Sequence, residues 1–275
     1  MKIKSLKKNG FVTFSYPENL RKKVEETVVS WKKFCDLPIW VKQNLPYSNG
    51  ADGVGYEIKD GSGNRGDRKE NFDVTTGGKE WLEKNIDEIK NPTALKFVKQ
   101  ATELVTFLKP SIMNFAKQSE KAFTLKGFEK EVEESEKAFF IRFIHYFGDR
   151  LVGEEIATAH TDQSGFTFHL FESEEGFQCL DYSNRWTDIP ITNGSTVIIP
   201  SMQMQLRSNG ALKATCHRVV ATSKTVKTGR YSAVCFIQLK HTPKYNKVKY
   251  GRLQEKEPGF NYSMTKEEFA KLFKK

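Results

Sequence analysis

The sequence predicts a mainly β core with flanking helices, in which a helical N-terminal region precedes a sandwich, jelly roll or barrel. Two observations carry this. Before residue 138 the apolar residues recur at helical spacing, whereas from 138 onward short β-rich runs alternate with turns. A third gives the core a purpose: His160, Asp162 and His217 are polar side chains with metal-ligating chemistry, and all sit at or in β-patterned segments. A chain of 275 residues can bury a substantial core, and an all-β barrel of that order commonly counts as one domain.

Along the chain, Leu20, Val24, Val28, Trp31 and Phe34 repeat at three- and four-residue steps after Pro17 and predict an amphipathic helix over 18–35. Leu95, Val98, Thr102, Val105, Leu108, Ile112 and Phe115 predict a second over 93–117, which Pro110 should kink or split. Between them, Tyr47–Gly78 is rich in Gly, Asn and Asp and reads as a long loop of the kind that often carries function. Then come β runs at 138–147, 155–159, 166–172, 177–182, 195–200, 216–222 and 230–239. Thr265-Lys-Glu-Glu268 is a capping box that opens a final helix. Residues 1–137 are therefore expected to pack on a core of 138–275, with the 47–78 loop helping to close its mouth.

Composition narrows the function classes. The net charge is +10, from 44 Lys and Arg against 34 Asp and Glu, and it is spread through Lys/Glu mixtures as on a solvated surface. It also gives a general pull on anionic ligands. No run resembles a nucleic-acid arm, no stretch reaches the length of a membrane span, and the N-terminus lacks an apolar signal core. The four cysteines have no C-x-x-C spacing, which fits reduced thiols in a cytoplasmic protein. The oligomeric state is left open.

His160 and Asp162 lie two residues apart, on one side of a strand end, and His217 lies in a separate apolar strand. Two imidazoles and one carboxylate on one face of a metal are the ligand set of non-haem Fe(II) sites that activate O2. Arg230 and Ser232, also two apart in a strand, can grip one carboxylate together. An H-x-D pair alone is weak, but joined to a distal His and R-x-S in this order it is specific. For His145, His169 and His241 packing or hydrogen bonding is the expected role.

The chain resembles the isopenicillin N synthase-like family of Fe(II)/2-oxoglutarate-dependent dioxygenases. His160-Thr-Asp-Gln-Ser-Gly-Phe-Thr167 is similar to its H-T-D-x-(G/S)-x-x-T, Gly176-Phe-Gln-Cys to G-L-Q-V, and Arg185-Trp-Thr-Asp-Ile-Pro190 to W-x-D-V-P. Asn209-Gly210 followed by His217-Arg-Val matches N-G…H-R-V, and Arg230-Tyr-Ser232 matches R-x-S. Arg142-Phe-Ile-His-Tyr146 resembles the strand that gives a tyrosine to the co-substrate. The resemblance implies a double-stranded β-helix (jelly roll) core, with Fe(II) on His160, Asp162 and His217. It implies that 2-oxoglutarate meets Arg230, Ser232 and Tyr146, that O2 is consumed, and that succinate and CO2 are released as a small-molecule substrate is hydroxylated, desaturated or cyclised. Tyr56 and Arg142 are the candidate substrate contacts. Ser201-Met202 stands where the family often has G-D, Phe147-Gly148 replaces Pro-Pro, and Ser223–Gly229 is a charged insertion. The alternatives are a 2-oxoglutarate-independent Fe(II) oxidase of the isopenicillin N synthase type, in which R-x-S holds the substrate, and a metal- or ligand-binding jelly roll without turnover.

Overall fold

The computed structural model describes residues 3–47, 53–61, 67–191, 194–250 and 262–273. In chain order the elements are α1 (Ser5–Asn9), β1 (Val12–Ser15), α2 (Glu18–Cys35), α3 (Ile39–Gln43), β2 (Gly55–Lys59), β3 (Lys69–Thr75), α4 (Gly78–Asn85), α5 (Pro92–Phe123), α6 (Phe128–Glu134), β4 (Phe139–Tyr146), β5 (Glu155–His160), β6 (Phe166–Glu172), β7 (Phe177–Leu180), β8 (Trp186–Asp188), β9 (Ser195–Pro200), α7 (Met202–Arg207), β10 (His217–Val220), α8 (Thr225–Thr228), β11 (Arg230–Ile237), α9 (Lys247–Tyr250) and α10 (Lys266–Ala270).

The strands form two antiparallel sheets. The major sheet has the order β1-β9-β6-β11-β4-β3-β2, and the minor sheet β5-β10-β7-β8. Neighbours that are distant in sequence alternate between the sheets, as in a jelly roll. Between them lies an inner core of Ile144, Ile156, Phe177, Val197, Ile199, Val219 and Val234. The outer face of the major sheet is covered by α2 and α5. Trp31 and Phe34 of α2, Phe97 of α5 and Phe143 of β4 interlock there, with ring centroids 5.0–6.1 Å apart. Because β4 alternates, Phe139, Ile141 and Phe143 serve this outer core while Arg142, Ile144 and Tyr146 face inward.

Helix α2 coincides with its predicted span. Helix α5 runs unbroken through Pro110, against the expectation of a split. The side chain of Asn91 caps its N-terminus with Pro92 in the first turn, and Leu104, Val105, Leu108, Ile112 and Phe115 are buried on both sides of the proline. Packing on this scale holds the turn that a proline in isolation would break.

The predicted 47–78 loop is the main correction. Its described part is a β2–β3 hairpin that extends the major sheet, with β3 paired to β4 from Lys69↔Tyr146 to Thr75↔Phe140; residues 48–52 and 62–66 lie outside the described residues. The sequence hides β3 because the strand buries polar side chains, Glu70, Asn71 and Asp73, where an apolar alternation would be expected. The short strands β1 and β8 are also absent from the sequence-based expectation. At the C-terminus the Thr265/Glu268 capping box is formed, and α10 packs with α7 through Met202 and Phe269. Among the described residues no helix is long and apolar enough to cross a membrane.

Candidate metal and co-substrate site

His160 ends β5 and His217 opens β10, and the two face each other across the ladder. Asp162 follows two residues after His160. Its carboxylate lies 3.6 Å from His160 Nε2 and 3.8 Å from His217 Nε2, and the three ligand atoms fall within 4.8 Å of one another. The imidazoles are oriented by the same device. The Nδ1 of His160 lies 2.6 Å from the Thr158 carbonyl, and that of His217 lies 3.2 Å from the Thr215 carbonyl. A carbonyl can only accept, so each Nδ1 donates and each Nε2 is the ring nitrogen turned towards Asp162. The hydroxyl of Thr167 on β6 donates to Asp162 Oδ2 at 2.7 Å. This donor set fits a divalent iron: two imidazoles held in fixed orientation and one carboxylate.

Electrostatics agree. Burial pushes the His217 imidazole down to about 3. For His160, burial alone would do the same, but the hydrogen bond and charge of Asp162 raise it above its ordinary value. Asp162 resists the upward push of burial and is held well below the usual carboxylate range by His217, His160 and Thr167. A permanent anion thus sits between two imidazoles, as a cation site requires.

His160 and Asp162 line a cavity of about 310 Å³, together with Lys69, Arg142, Tyr146 and Phe236 among others. From the 47–78 segment, Lys59, Asp67 and Lys69 are among the residues that line it. Arg142 faces this cavity, but its guanidinium is bound bidentately to Asp73 at 2.7 and 2.6 Å. Tyr56 is not brought to the site. It points to the other face of the sheet, where its hydroxyl donates to Glu70 at 2.7 Å in a buried cluster with Lys42 and His145. The reason is register: Tyr56 pairs with Phe72, and both lie on the helix-covered face. The histidines left aside by the sequence have protein partners: His145 with Glu70, His241 with Glu134 and His169 with Glu172.

Arg230, 1% exposed, and Ser232 lie on the inner face of β11, and Tyr146 is the direct β4 partner of Arg230. Gly229, at φ 70°, lets β11 begin here: a Cβ at that position would stand 2.6 Å from the Tyr146 carbonyl oxygen. The guanidinium donates from Nη1 to Ser232 Oγ at 2.6 Å and from Nε to the Glu174 carbonyl. Its Nη2 is buried without a partner, an orphaned donor that suits an incoming carboxylate. Asn71, fully buried on the inner-facing row of β3, likewise leaves both amide atoms unpartnered. Sequence reasoning missed Glu172, whose carboxylate lies 2.7 Å from Arg230 Nη1 and accepts from Ser232 Oγ at 2.5 Å. Alternation from Thr167 and His169 would turn residue 172 outward. A bulge at Leu170 reverses the phase, since Val234 pairs with His169 but Ala233 with Phe171.

Residues 138–239 match the family profile of the 2OG-Fe(II) oxygenase superfamily. The matched stretch contains His160, Asp162, His217, Arg230 and Ser232. No curated protein sequence matches the chain. Its fold is similar to that of a full-length Neurospora crassa protein in complex with alpha-KG (TM-score 0.70, 18% identity, 87% of this chain and 78% of that one). It is also similar to a 2OG-Fe(II) oxygenase family protein from Caulobacter crescentus (0.68, 21%, 86% and 79%) and to a rice dioxygenase for auxin oxidation (0.66, 19%, 86% and 76%).

Proposed function

We propose that the chain is an Fe(II)/2-oxoglutarate-dependent dioxygenase that holds Fe(II) on His160, Asp162 and His217, anchors the far carboxylate of 2-oxoglutarate at Arg230, Ser232 and Tyr146, and oxidises a small molecule bound in the cavity of about 310 Å³ beside His160 and Asp162. The observation that carries the reading is one inner surface bearing both devices: three ligand atoms within 4.8 Å of each other and a buried Arg230 whose Nη2 has no partner. Bound Fe(II) with 2-oxoglutarate and O2 supplies the oxidising chemistry, which no side chain can.

The chain's own residues do the rest. Thr158 and Thr215 carbonyls fix the imidazole tautomers, and Thr167 fixes the carboxylate. Tyr146 and Ile144 wall the anchor from solvent, so the charge-assisted contacts of Arg230 act in a dry setting. In the cavity, Phe140 stacks on Phe236 with ring centroids 4.7 Å apart, and Lys247 has no ion pair among the described residues. A compact, flat molecule with an anionic group suits such a lining. With no nucleic-acid groove or membrane helix invoked, a small-molecule substrate in the cytoplasm is the proposed setting, and residues 1–137 and 138–275 act as one unit through their shared core.

Succinate formation from 2-oxoglutarate in the presence of Fe(II) and O2 tests the reading. Slow turnover without substrate is expected, and a mere binding module would give none. Arg230→Ala should weaken 2-oxoglutarate binding by roughly tenfold to a hundredfold, as for a lost charge-assisted contact, while metal binding is kept. An unchanged dissociation constant would instead assign Arg230 to the substrate, as in a 2-oxoglutarate-independent oxidase.

A further inference from the structure

The Arg230–Ser232 pair proposed above to anchor the co-substrate already holds a carboxylate of the protein. Glu172 Oε2 meets Arg230 Nη1 at 2.7 Å and Ser232 Oγ at 2.5 Å, while its Oε1 lies 3.0 Å from His169 Nδ1. The arrangement is built rather than incidental. Glu172 reaches the inner face only because of the Leu170 bulge, and Thr196, next on β9, donates to the His169 carbonyl at the same point. Burial would raise the Glu172 carboxyl, yet Arg230, His169 and Ser232 hold it below its ordinary value, so it stands there as an anion. The only guanidinium donor left over is Nη2.

An anion already paired with Arg230 has two effects on a second one. It neutralises the attraction that would draw the co-substrate's far carboxylate, and it repels that carboxylate across a buried gap. It also removes the bidentate geometry, because one of the two fork nitrogens and the serine hydroxyl are engaged. The 2-oxo acid end, which binds at the metal, is untouched by either effect.

We propose that Glu172 is a specificity-determining residue for the co-substrate, one that restricts the far carboxylate to Arg230 Nη2 and lowers this site's preference for dicarboxylic over monocarboxylic 2-oxo acids. The proposal rests on the assignment of Arg230 as co-substrate anchor. Glu172→Gln keeps the shape and an acceptor for Arg230 and Ser232 but removes the charge.

The experiment measures binding of 2-oxoglutarate and of 2-oxovalerate, which lacks the far carboxylate, to the full chain loaded with redox-silent Mn(II), by calorimetry. In the wild type the two ligands should bind within about tenfold of each other; in Glu172→Gln, 2-oxoglutarate should tighten by about tenfold or more while 2-oxovalerate stays the same. Equal 2-oxoglutarate affinity in both proteins, or a weaker one in the variant, overturns the role of Glu172 and leaves the anchor assignment standing. If Arg230→Ala binds 2-oxoglutarate as the wild type does, the anchor assignment falls instead, and Glu172 with it. Mn(II) stoichiometry and the thermal unfolding midpoint of Glu172→Gln establish that the variant is folded.

Discussion

His160 and His217 are direct cross-strand partners in the minor sheet, although 57 residues separate them in the chain. The pairing places their rings 4.4 Å apart, centroid to centroid, and gives both the same Nδ1 contact with the carbonyl two residues earlier. The site is thus a property of strand register rather than of a loop. It should therefore exist before any metal arrives, with little reorganisation on binding.

Thr167 is the support most open to a clean test. Its hydroxyl donates to Asp162 Oδ2 and touches Ser201 Oγ at 3.2 Å in a buried setting. Thr167→Val keeps the shape and removes the donor. Metal affinity should fall by about tenfold to a hundredfold, the usual effect of removing a group that orients a ligand, with the fold intact. His217→Ala should abolish tight binding altogether. Metal stoichiometry measured by equilibrium dialysis checks both, and a fully loaded His217→Ala protein would sink the triad.

Metal loading should depend on pH through one proton. His160 is raised above the ordinary histidine value, His217 is pushed down to about 3, and Asp162 stays ionised throughout the working range. A ligand must be deprotonated to bind, so only His160 has a proton to lose near neutrality. Apparent affinity should decline as pH falls through the His160 value, by about tenfold per pH unit. Titration of metal binding between pH 8 and 5 checks this; a decline of about a hundredfold per unit would mean that His217 also carries a proton.

The core strands of the jelly roll were legible as short β-rich runs between turns; β6 and β9 were bounded to the residue. The residues that the structure brings together, His160 with Asp162 and His217, and Arg230 with Ser232, were legible as a pattern because such chemistry is rare enough to stand out at that spacing. What was hidden had physical reasons. Strand β3 carries Glu70, Asn71 and Asp73 in buried positions, so its pattern reads as polar loop. Glu172 is hidden by a bulge, which depends on the partner strand and leaves no mark in local alternation. Tyr56 sits beside a Gly-rich turn like a loop residue, yet its hydroxyl is consumed by Glu70.

Glu70 itself should govern acid stability. Its carboxylate accepts from Lys42 at 2.6 Å and Tyr56 at 2.7 Å and meets His145 at 2.9 Å, all in a nearly dry cluster. Burial would raise its carboxyl, but His145, Lys42 and Tyr56 bring it down to about 2 from 4.5. A depressed carboxylate contributes stability that is present above its unfolded value and lost as pH falls through its folded one. The window is therefore pH 4.5 to about 2, and the contribution is about 3 kcal/mol at neutral pH. Glu70→Gln should cost about 3 kcal/mol at pH 7, because it leaves Lys42 without its counter-ion, and should flatten the acid limb over that window. Urea unfolding at several pH values checks it. Equal losses at pH 7 and pH 2 would refute the linkage.

The N-terminal half should be inseparable from the β core of residues 138–275. Strand β1 pairs along β9 at one edge of the major sheet, and β3 pairs along β4 on the other side. Helices α2 and α5 cover Ile141, Phe143, Phe166 and Phe168, and Trp31, fully buried, donates from its indole to the Ile144 carbonyl at 3.3 Å. A fragment of residues 138–275 would expose that apolar face and leave two strand edges open, conditions that favour aggregation. It should appear in the insoluble fraction or as large oligomers, and fail to bind metal. Within the full chain, Trp31→Ala should destabilise by about 3–5 kcal/mol, as truncation of a buried aromatic does. Size-exclusion chromatography and metal titration of the fragment, with denaturant unfolding of the variant, check the pair. A monomeric fragment that binds metal as tightly as the full chain would show that 138–275 folds alone, and that the first half serves the cavity mouth only.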